Sequence, residues 1–274
     1  MLQTRTTVID AKRPSHGFNP RELWQYRDLF LALVQRDLKL RYRQTLLGVI
    51  WAVLQPVLPM IVFSLIFGKL AHMPADGLPY PVFVFAGLLP WTFFNTAVTN
   101  ATASVVGSAA FVTKVYFPRL LLPGSSVVGG LIDLAISGVI FFGMMFYYHL
   151  HVTSNLLIAP VPLLLITMLA LAVGMWTSAL YVRYRDVRHA LPFLLQTWMF
   201  LTPVIYPVKF IPQHLRWLLN MNPLTGIIEG FRSAFFGQSL HWLSLGLAGA
   251  LTAILLLIAT HSFSLMERQM ADII

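Results

Sequence analysis

Long apolar stretches, separated by short polar segments, make up most of this chain of 274 residues. A transmembrane helix needs about 20 mainly apolar residues to cross a hydrocarbon core about 30 Å thick. Six stretches predict such helices, at residues 49–70, 81 to about 105, 122–148, 156–182, 190–206 and 243–263. The pattern therefore predicts an all-α polytopic membrane protein whose six-span domain covers residues 46–274.

The segment before the first span has the pattern of an amphipathic helix, over residues 19–45. Asn19 can cap this helix, Pro20 suits its first position, and Glu22 can complete a capping box. Apolar residues between Tyr26 and Val34 share one face, opposite polar and basic residues. We expect this helix to lie along the cytoplasmic headgroups. Packing on a partner subunit is the alternative, and residues 1–18 are predicted to form a flexible tail.

A second unusual segment, residues 207–242, lies between the fifth and sixth predicted spans. Pro212, Asn220 and Pro223 divide it into pieces too short to cross a bilayer. The pattern at 224–236 is amphipathic, with Glu229 and Arg232 opposite an apolar face. A re-entrant helical hairpin on the outer side fits this pattern, and an inert packed loop fits it equally well.

Composition and charge agree with a membrane location and fix the orientation. Hydrophobic residues make up 57% of the chain and charged residues 11%, with a mean hydropathy of +0.73. Fifteen of the 19 lysines and arginines fall on one side of the predicted spans, so both termini are expected in the cytoplasm. The net charge of +9 is then explained by anionic headgroups, and no nucleic-acid partner is expected.

Candidate catalytic chemistry is sparse. Asp133 is the single carboxylate within the predicted spans, and a pair is needed for acid–base work. The eight histidines are scattered and the chain has no cysteine, so no metal site is expected. Gly68 and Lys69 are followed by Leu70, so the phosphate loop of ATPases is absent. Asp133 is either a proton-coupling or gating group, or a hydrogen-bonded pin between helices.

Several motifs carry a resemblance to a known family. They are RDLKLRYRQTLLG at 36–48, KVYFPRLLLP at 114–123 and RYRDV at 183–187, with GLLPWTFF at 87–94, TPVIYP at 202–207 and NPL at 222–224. In this order and spacing the chain resembles the membrane subunits of polysaccharide-exporting ABC transporters, from about residue 20 onward. Those permeases move O-antigen, capsule or teichoic acid chains.

The resemblance implies a non-enzymatic permease that works as a homodimer in the bacterial cytoplasmic membrane. Each copy would dock on a cytoplasmic nucleotide-binding subunit, which uses ATP and Mg²⁺, while this chain binds no cofactor. A coupling helix at about 107–116 would contact that ATPase. The coupling candidates are Gly107, Ser108, Lys114, Tyr116 and Arg119.

Further residue roles follow from the same resemblance. Aromatic residues on spans one and five would stack on sugar rings in a channel between the two copies: Phe63, Phe67, Trp198 and Phe200. Basic residues would hold the phosphates of a lipid-linked chain: Arg36, Lys39, Arg41 and Arg43. The outer gate would include Tyr206, Glu229 and Arg232.

Plainer roles remain open for these residues. The aromatic residues could serve in lipid contact or core packing, and the basic residues could be topology signals. Two other functions also remain open. One is an ABC permease that exports a drug, a lipid or another small molecule, and the other is a proton-coupled carrier or channel.

Overall fold

The computed structural model describes residues 24–42, 48–115, 117–151 and 153–273, with side chains up to residue 267. Every regular element within these ranges is helical. The α-helices are α1 (Arg27–Tyr42), α2 (Ile50–Phe63), α3 (Tyr80–Gly107), α4 (Ala109–Val112), α5 (Leu121–Tyr147), α6 (Pro160–Arg183), α7 (Val187–Leu201), α8 (Arg216–Asn220), α9 (Pro223–Phe236) and α10 (Trp242–Ile273). The predicted tail, the capping residues Asn19, Pro20 and Glu22, and the site candidates Arg43 and Tyr116 lie outside the described residues.

Five helical segments in the described part of the chain are long and apolar enough to cross a membrane. They are Ile50–Leu70, Tyr80–Gly107, Leu121–Tyr147, Ser154–Arg183 and Trp242–Glu267. Each coincides with one of the predicted spans to within a few residues. Apolar periodicity and length were sufficient to find them, because a helix that crosses lipid must satisfy all its backbone hydrogen bonds internally.

The fifth predicted span, residues 190–206, differs from the prediction. Helix α7 is 15 residues long and ends at Leu201, and Thr202 takes an extended conformation. Pro203 follows directly, and a residue before proline is disfavoured in the helical conformation. The chain continues as a non-helical, largely buried segment from Thr202 to Pro207, which we call the broken segment.

Helix α3 is the centre of the bundle. It packs against α2, α5, α6, α7 and α9, and most of its residues are buried. Its side chains contribute to a core cluster at mid-height and to one at each end. The cluster near Val105 includes Leu33 of α1, and we call this the α1 end. Tyr80 lies at the opposite end.

Helix α1 packs on its own chain, which the sequence did not predict. Leu33 is buried in the core cluster of the α1 end, where Leu29 and Phe30 also pack. On the polar side, the Asp37 carboxylate accepts hydrogen bonds from the hydroxyls of Ser125 and Ser126 on α5, at 3.3 and 3.1 Å. Both faces of the helix are therefore used in docking. Contact of its remaining surface with headgroups stays a prediction.

The first candidate span continues α2 through a π-helical stretch, Ser64–Leu70. A π-helical stretch inside a longer helix is uncommon and often marks a functional position. Gly68 in this stretch lies against Tyr80, where a Cβ would approach the tyrosine ring to 3.0 Å. Much of the helix surface is nevertheless exposed in a single copy of the chain.

Helices α8 and α9 follow the broken segment and form a returning hairpin. Lys209 forms an ion pair with Asp76, near the Tyr80 end, at 3.1 Å. From there the chain runs back into the bundle to Asn222, which caps α9 by accepting a hydrogen bond from the amide of Leu224. Helix α9 ends at Gly237 with a positive φ of 66°, a conformation that glycine adopts without strain.

Candidate functional site

The sequence-predicted site residues fall into three regions of the bundle. Of the described candidates, the basic ones lie on α1, the coupling ones lie at the end of α3 and in the loop that leads to α5, and the aromatic and gate ones lie on α2, α7, α9 and the segments that follow α2 and α7.

Asp133 on α5 is held by residues at the end of α1. Arg41 Nη1 donates to Asp133 Oδ2 at 2.8 Å, and the Tyr42 hydroxyl donates to Oδ1. Arg41 also donates to the backbone carbonyl of Ser126 at 3.3 Å. A carboxylate bound by a guanidinium and a phenol joins two helices, so this geometry supports the interpretation of Asp133 as a pin. No second carboxylate from the described residues is bound to it.

The basic candidates are used in different ways. Arg36 Nη2 lies 3.1 Å from Asp37 Oδ1 and donates to Ser108 Oγ at 3.3 Å, while Arg41 is paired with Asp133. Lys39 is exposed on the same helix. Two of the predicted phosphate ligands are thus already paired with carboxylates within the chain, and Lys39 has the most accessible charge of the three that are described.

The described coupling candidates lie on either side of a short helix, α4. Helix α4 begins just after Ser108, whose carbonyl accepts hydrogen bonds from the backbone amides of Phe111 and Val112. Lys114 is exposed, whereas Arg119 is tied to α10 through Glu267. The Arg119 amide donates to Glu267 Oε1 at 2.9 Å, and its guanidinium donates to the Glu267 carbonyl. The structure therefore leaves Lys114 accessible and gives Arg119 contacts inside the chain.

The aromatic candidates are spread over two helices. Phe63 and Phe67 are neighbours with ring centroids 6.0 Å apart, and both pack in part on the central core. Trp198 also packs on this core, where it meets Phe94 edge-on at 5.4 Å. Phe200 is 53% exposed. Phe200 is thus the most accessible of the four in a single copy.

Trp198 has a polar contact that the sequence did not indicate. Its indole Nε1 donates to Asn222 Oδ1 at 3.0 Å, and Asn222 Nδ2 donates to the Thr202 hydroxyl at 2.8 Å. Asn222 is therefore held beside Phe94, about 20 Å along α3 from Tyr80 at 1.5 Å per residue. The returning hairpin thus reaches far into the bundle before α9 leads back.

Arg232 is the polar centre of the gate region and is only 4% exposed. Its guanidinium donates to the carbonyls of Pro203 at 2.7 Å and Val204 at 2.5 Å. The next carbonyl, that of Ile205, accepts the Tyr80 hydroxyl at 2.8 Å. The carbonyls of a non-helical segment lack the partners that a helix would give them. Here Arg232 and Tyr80 donate hydrogen bonds to the carbonyls of three successive residues, 203 to 205.

The close approach of these groups requires a glycine on α3. A Cβ at Gly87 would lie 2.5 Å from Arg232 Nη2 and 2.6 Å from the Val204 carbonyl oxygen. The guanidinium also lies 3.8 Å from the centroid of the Phe83 ring, a favourable position for a cation over an aromatic face. Gly87 and Phe83 thus contact Arg232, and Tyr80 shares the carbonyls of the same segment with it, an arrangement that sequence reasoning missed. Gly87 and the broken segment lie in the GLLPWTFF and TPVIYP motifs, but nothing in the sequence indicated that these two motifs are in contact.

The other two gate candidates occupy more peripheral positions. The Tyr206 hydroxyl donates to the Phe200 carbonyl at 3.1 Å, which links both ends of the broken segment. Glu229 lies one turn before Arg232 on α9 and is half-buried. Within the described part of the chain, Glu229 forms no ion pair, so Arg232 is satisfied mainly by backbone carbonyls.

These helices define a multi-pass membrane protein, and comparison with known proteins identifies its family. The sequence profile of the family described as "ABC-2 type transporter" matches residues 28–236. The chain therefore belongs to the ABC-2 type transporter family and is an inner-membrane permease.

Three relatives illustrate the similarity. The O-antigen export system permease protein RfbA of Myxococcus xanthus is 34% identical over 222 residues, which cover 80% of this chain and 85% of that protein. The protein of the same name from Klebsiella pneumoniae is 27% identical over 90% of this chain and 95% of its own length. The polysialic acid transport protein KpsM of Escherichia coli is 23% identical over 78% and 86%.

Proposed function

We propose that this chain is the membrane subunit of an ATP-driven exporter that moves a lipid-linked polysaccharide across the cytoplasmic membrane. The observation that carries the proposal is the 34% identity to an O-antigen export permease over 85% of that protein's length. The similarity to a polysialic acid transport protein over 86% of its length supports the same substrate class, because both names refer to polymers of sugars.

The polymer passes, in this proposal, between two copies of the chain. Helix α2 supports the idea, because only 11% of its most apolar window is buried in one copy, against 78% for α3. Phe67 on the π-helical stretch and Phe200 on α7 would then offer aromatic faces to sugar rings. Contacts of this kind guide a chain without fixing one register, so the polymer can advance.

Helix α7 and the broken segment together form the fifth of six spans. At 1.5 Å per residue the 15 residues of α7 extend about 22 Å, which is short of a hydrocarbon core of about 30 Å. The residues of the broken segment, Thr202 to Pro207, add the remaining length. Non-helical backbone is tolerated at membrane depth where protein covers it, and Arg232 and Tyr80 meet that condition.

The returning hairpin is a re-entrant outer gate, and both termini lie in the cytoplasm. This orientation follows from the excess of basic residues on the side of the α1 end. Helix α9 then lies within the membrane without crossing the bilayer, since 14 residues extend only about 21 Å, which is short of a hydrocarbon core of about 30 Å. Tyr206, Glu229 and Arg232 would lie at the exit of the passage.

The energy comes from a partner. A cytoplasmic ATPase subunit, which binds ATP and Mg²⁺, would dock on the loop between α3 and α5. Lys114 is exposed there and supports this docking surface. Arg119 contributes in a different way, because its contacts with Glu267 hold that loop against α10.

Purification of a tagged chain from cells that also produce an untagged and a differently tagged copy tests the proposal. We expect an ATP-hydrolysing subunit and the second copy to be recovered with it. Lys114→Glu should reduce recovery of the ATPase, and Lys69→Glu, an exposed lysine at the opposite end of the bundle, should not.

Deletion of the chain should leave sugar polymer inside the cell, and its reintroduction should restore export. Restored export by a chain that recovers no ATPase would contradict the proposal. Efflux of a drug or a free lipid, with unchanged polymer export, would favour the small-molecule permease instead.

A further inference from the structure

A cavity of about 240 Å³ opens at the α1 end of the bundle, between α1, α2, α3 and α5. Its lining includes Arg41, Trp51, Gln55, Thr96, Asn100 and Asp133. A small adjoining cavity shares Gln55, Thr96 and Asp133 and continues toward Thr92. All of the described lining residues belong to one copy of the chain.

The described lining residues of the cavity offer no net charge to a ligand. The two charged ones among them, Arg41 and Asp133, are paired with each other at 2.8 Å, and the other polar ones carry amides and hydroxyls. An anionic lipid headgroup or a free phosphate would meet a guanidinium that a carboxylate already neutralises. The lining therefore favours an uncharged ligand rich in hydrogen-bonding groups.

The neutral polar side chains in the lining lack partners. In the described part of the chain, the side chains of Gln55, Thr96 and Asn100 form no hydrogen bond. Threonines on this helix can bond back to the preceding turn, as Thr99 does to Asn95 at 2.8 Å and Thr102 does to Val98 at 2.7 Å. Polar groups in a membrane protein are costly without partners. Gln55 is exposed and Thr96 and Asn100 are half-buried, so all three are accessible to water or to a ligand that can supply partners.

An aromatic face lies at the same place. Trp51 lines the cavity and is 48% exposed. Sugars combine hydroxyls, which pair with amides and hydroxyls, with apolar ring faces, which pack on aromatic rings. The cavity volume equals that of about eight water molecules at ~30 Å³ each, which is on the scale of a single ring-shaped group rather than a chain.

We propose that this cavity binds a sugar unit of the polymer at the cytoplasmic side, before the polymer enters the passage between the two copies. The inference rests on the proposed function and adds a binding site to it. Gln55, Thr96 and Asn100 supply hydrogen bonds, Trp51 supplies the ring face, and the Arg41–Asp133 pair fixes the wall formed by α1 and α5.

Cysteine labelling tests this site, because the chain has no native cysteine. The variants Gln55→Cys, Thr96→Cys and Asn100→Cys line the cavity, and Gln35→Cys, exposed on α1, is the control outside it. Inside-out vesicles depleted of ATP, so that export stalls, are prepared from polymer-producing cells and from cells blocked in polymer synthesis. The rate of reaction with a small membrane-impermeant maleimide is measured for each variant.

We expect the cavity cysteines to react several-fold more slowly in vesicles that contain polymer, and the Gln35→Cys rate to be the same in both. Equal rates at all three cavity positions in the two preparations would overturn the proposal and indicate a cavity that holds only water. Slow reaction in both preparations would also overturn it, because a lipid headgroup or a closed cavity gives that result.

An export assay separates this inference from the proposed function. The unsubstituted chain must restore polymer export to cells that lack it, and failure there would contradict the proposed function itself. Restored export together with unprotected cavity cysteines would leave that function in place and remove only the sugar site.

Discussion

At the scale of residues, the gate region depends on one position without a side chain. Gly87 allows the Arg232 guanidinium and the Val204 carbonyl to meet against α3. Because the guanidinium partners backbone carbonyls that would otherwise be buried and unpaired, loss of this geometry costs more than one contact.

Gly87→Ala should therefore lower the stability of the purified protein by about 1–3 kcal/mol, the usual cost of overpacking. Thermal unfolding in detergent measures the effect. Gly138→Ala on α5 is the matched control, because a Cβ there has no neighbour within 4 Å and alanine favours a helix by about 0.5–1 kcal/mol. Equal unfolding temperatures for the two variants would contradict the role of Gly87.

A second prediction at this scale separates stacking from packing among the aromatic residues. The double variant Phe67→Ala with Phe200→Ala should reduce polymer export while basal ATP hydrolysis stays unchanged. Two residues are changed together because each sugar contact contributes only about 1 kcal/mol. Trp198→Ala should instead lower thermal stability, because it removes the hydrogen bond to Asn222.

Phe146→Ala, at an 84% exposed position on α5, is the control for loss of an aromatic side chain. Export by the Phe67/Phe200 double variant at the level of this control would rule out the proposed stacking.

At the scale of elements, α1 is attached to α5 by a partly buried polar contact as well as by its apolar face. The Arg41–Asp133 pair lies at its last turn, and the Asp37 contacts with Ser125 and Ser126 lie one turn earlier. Removal of either member deprives the other of its partner of opposite charge, so the two single losses overlap.

We expect Arg41→Ala and Asp133→Ala each to destabilise the protein, and the double variant to cost less than their sum by about 0.5–3 kcal/mol. Thermal unfolding of the unsubstituted protein, the two single variants and the double variant gives the coupling free energy between Arg41 and Asp133.

Asp133→Asn should keep polymer export, because a pin between helices needs hydrogen bonds rather than a titrating proton. Abolished export in a stable Asp133→Asn protein would instead favour proton coupling.

The sequence predicted elements better than it predicted contacts. Apolar length located five candidate spans, and the amphipathic pattern at 224–236 located α9 to within one residue, because these signals are local. The end of α7 was placed at Tyr206 instead of Leu201, since the apolar run continues through the residues of the broken segment. The partners of its carbonyls, Arg232 and Tyr80, are distant in sequence, and no pattern within one helix shows which helices meet.

At the scale of the whole molecule, the orientation in the membrane is the property on which the proposed function depends. Cysteines at Gln213 and Thr153 should react with an impermeant thiol reagent added to intact cells, because both positions are exposed on the predicted outer side. A cysteine at Thr113, exposed beside α4, should react only in inside-out vesicles. Labelling of Thr113→Cys in intact cells would overturn the topology with both termini in the cytoplasm.

The broken segment couples the position of α7 to that of α9. Its carbonyls are held by a side chain of α9 and by Tyr80 at the start of α3. A displacement of α7 from the α1 end must therefore either carry α9 with it or break these hydrogen bonds. Helix α3 takes part in the same contacts, because Tyr80 donates to the Ile205 carbonyl and the Phe83 carbonyl accepts from Arg232. A movement of α7 at the α1 end would therefore act on groups at the opposite end of the bundle through hydrogen bonds to backbone carbonyls.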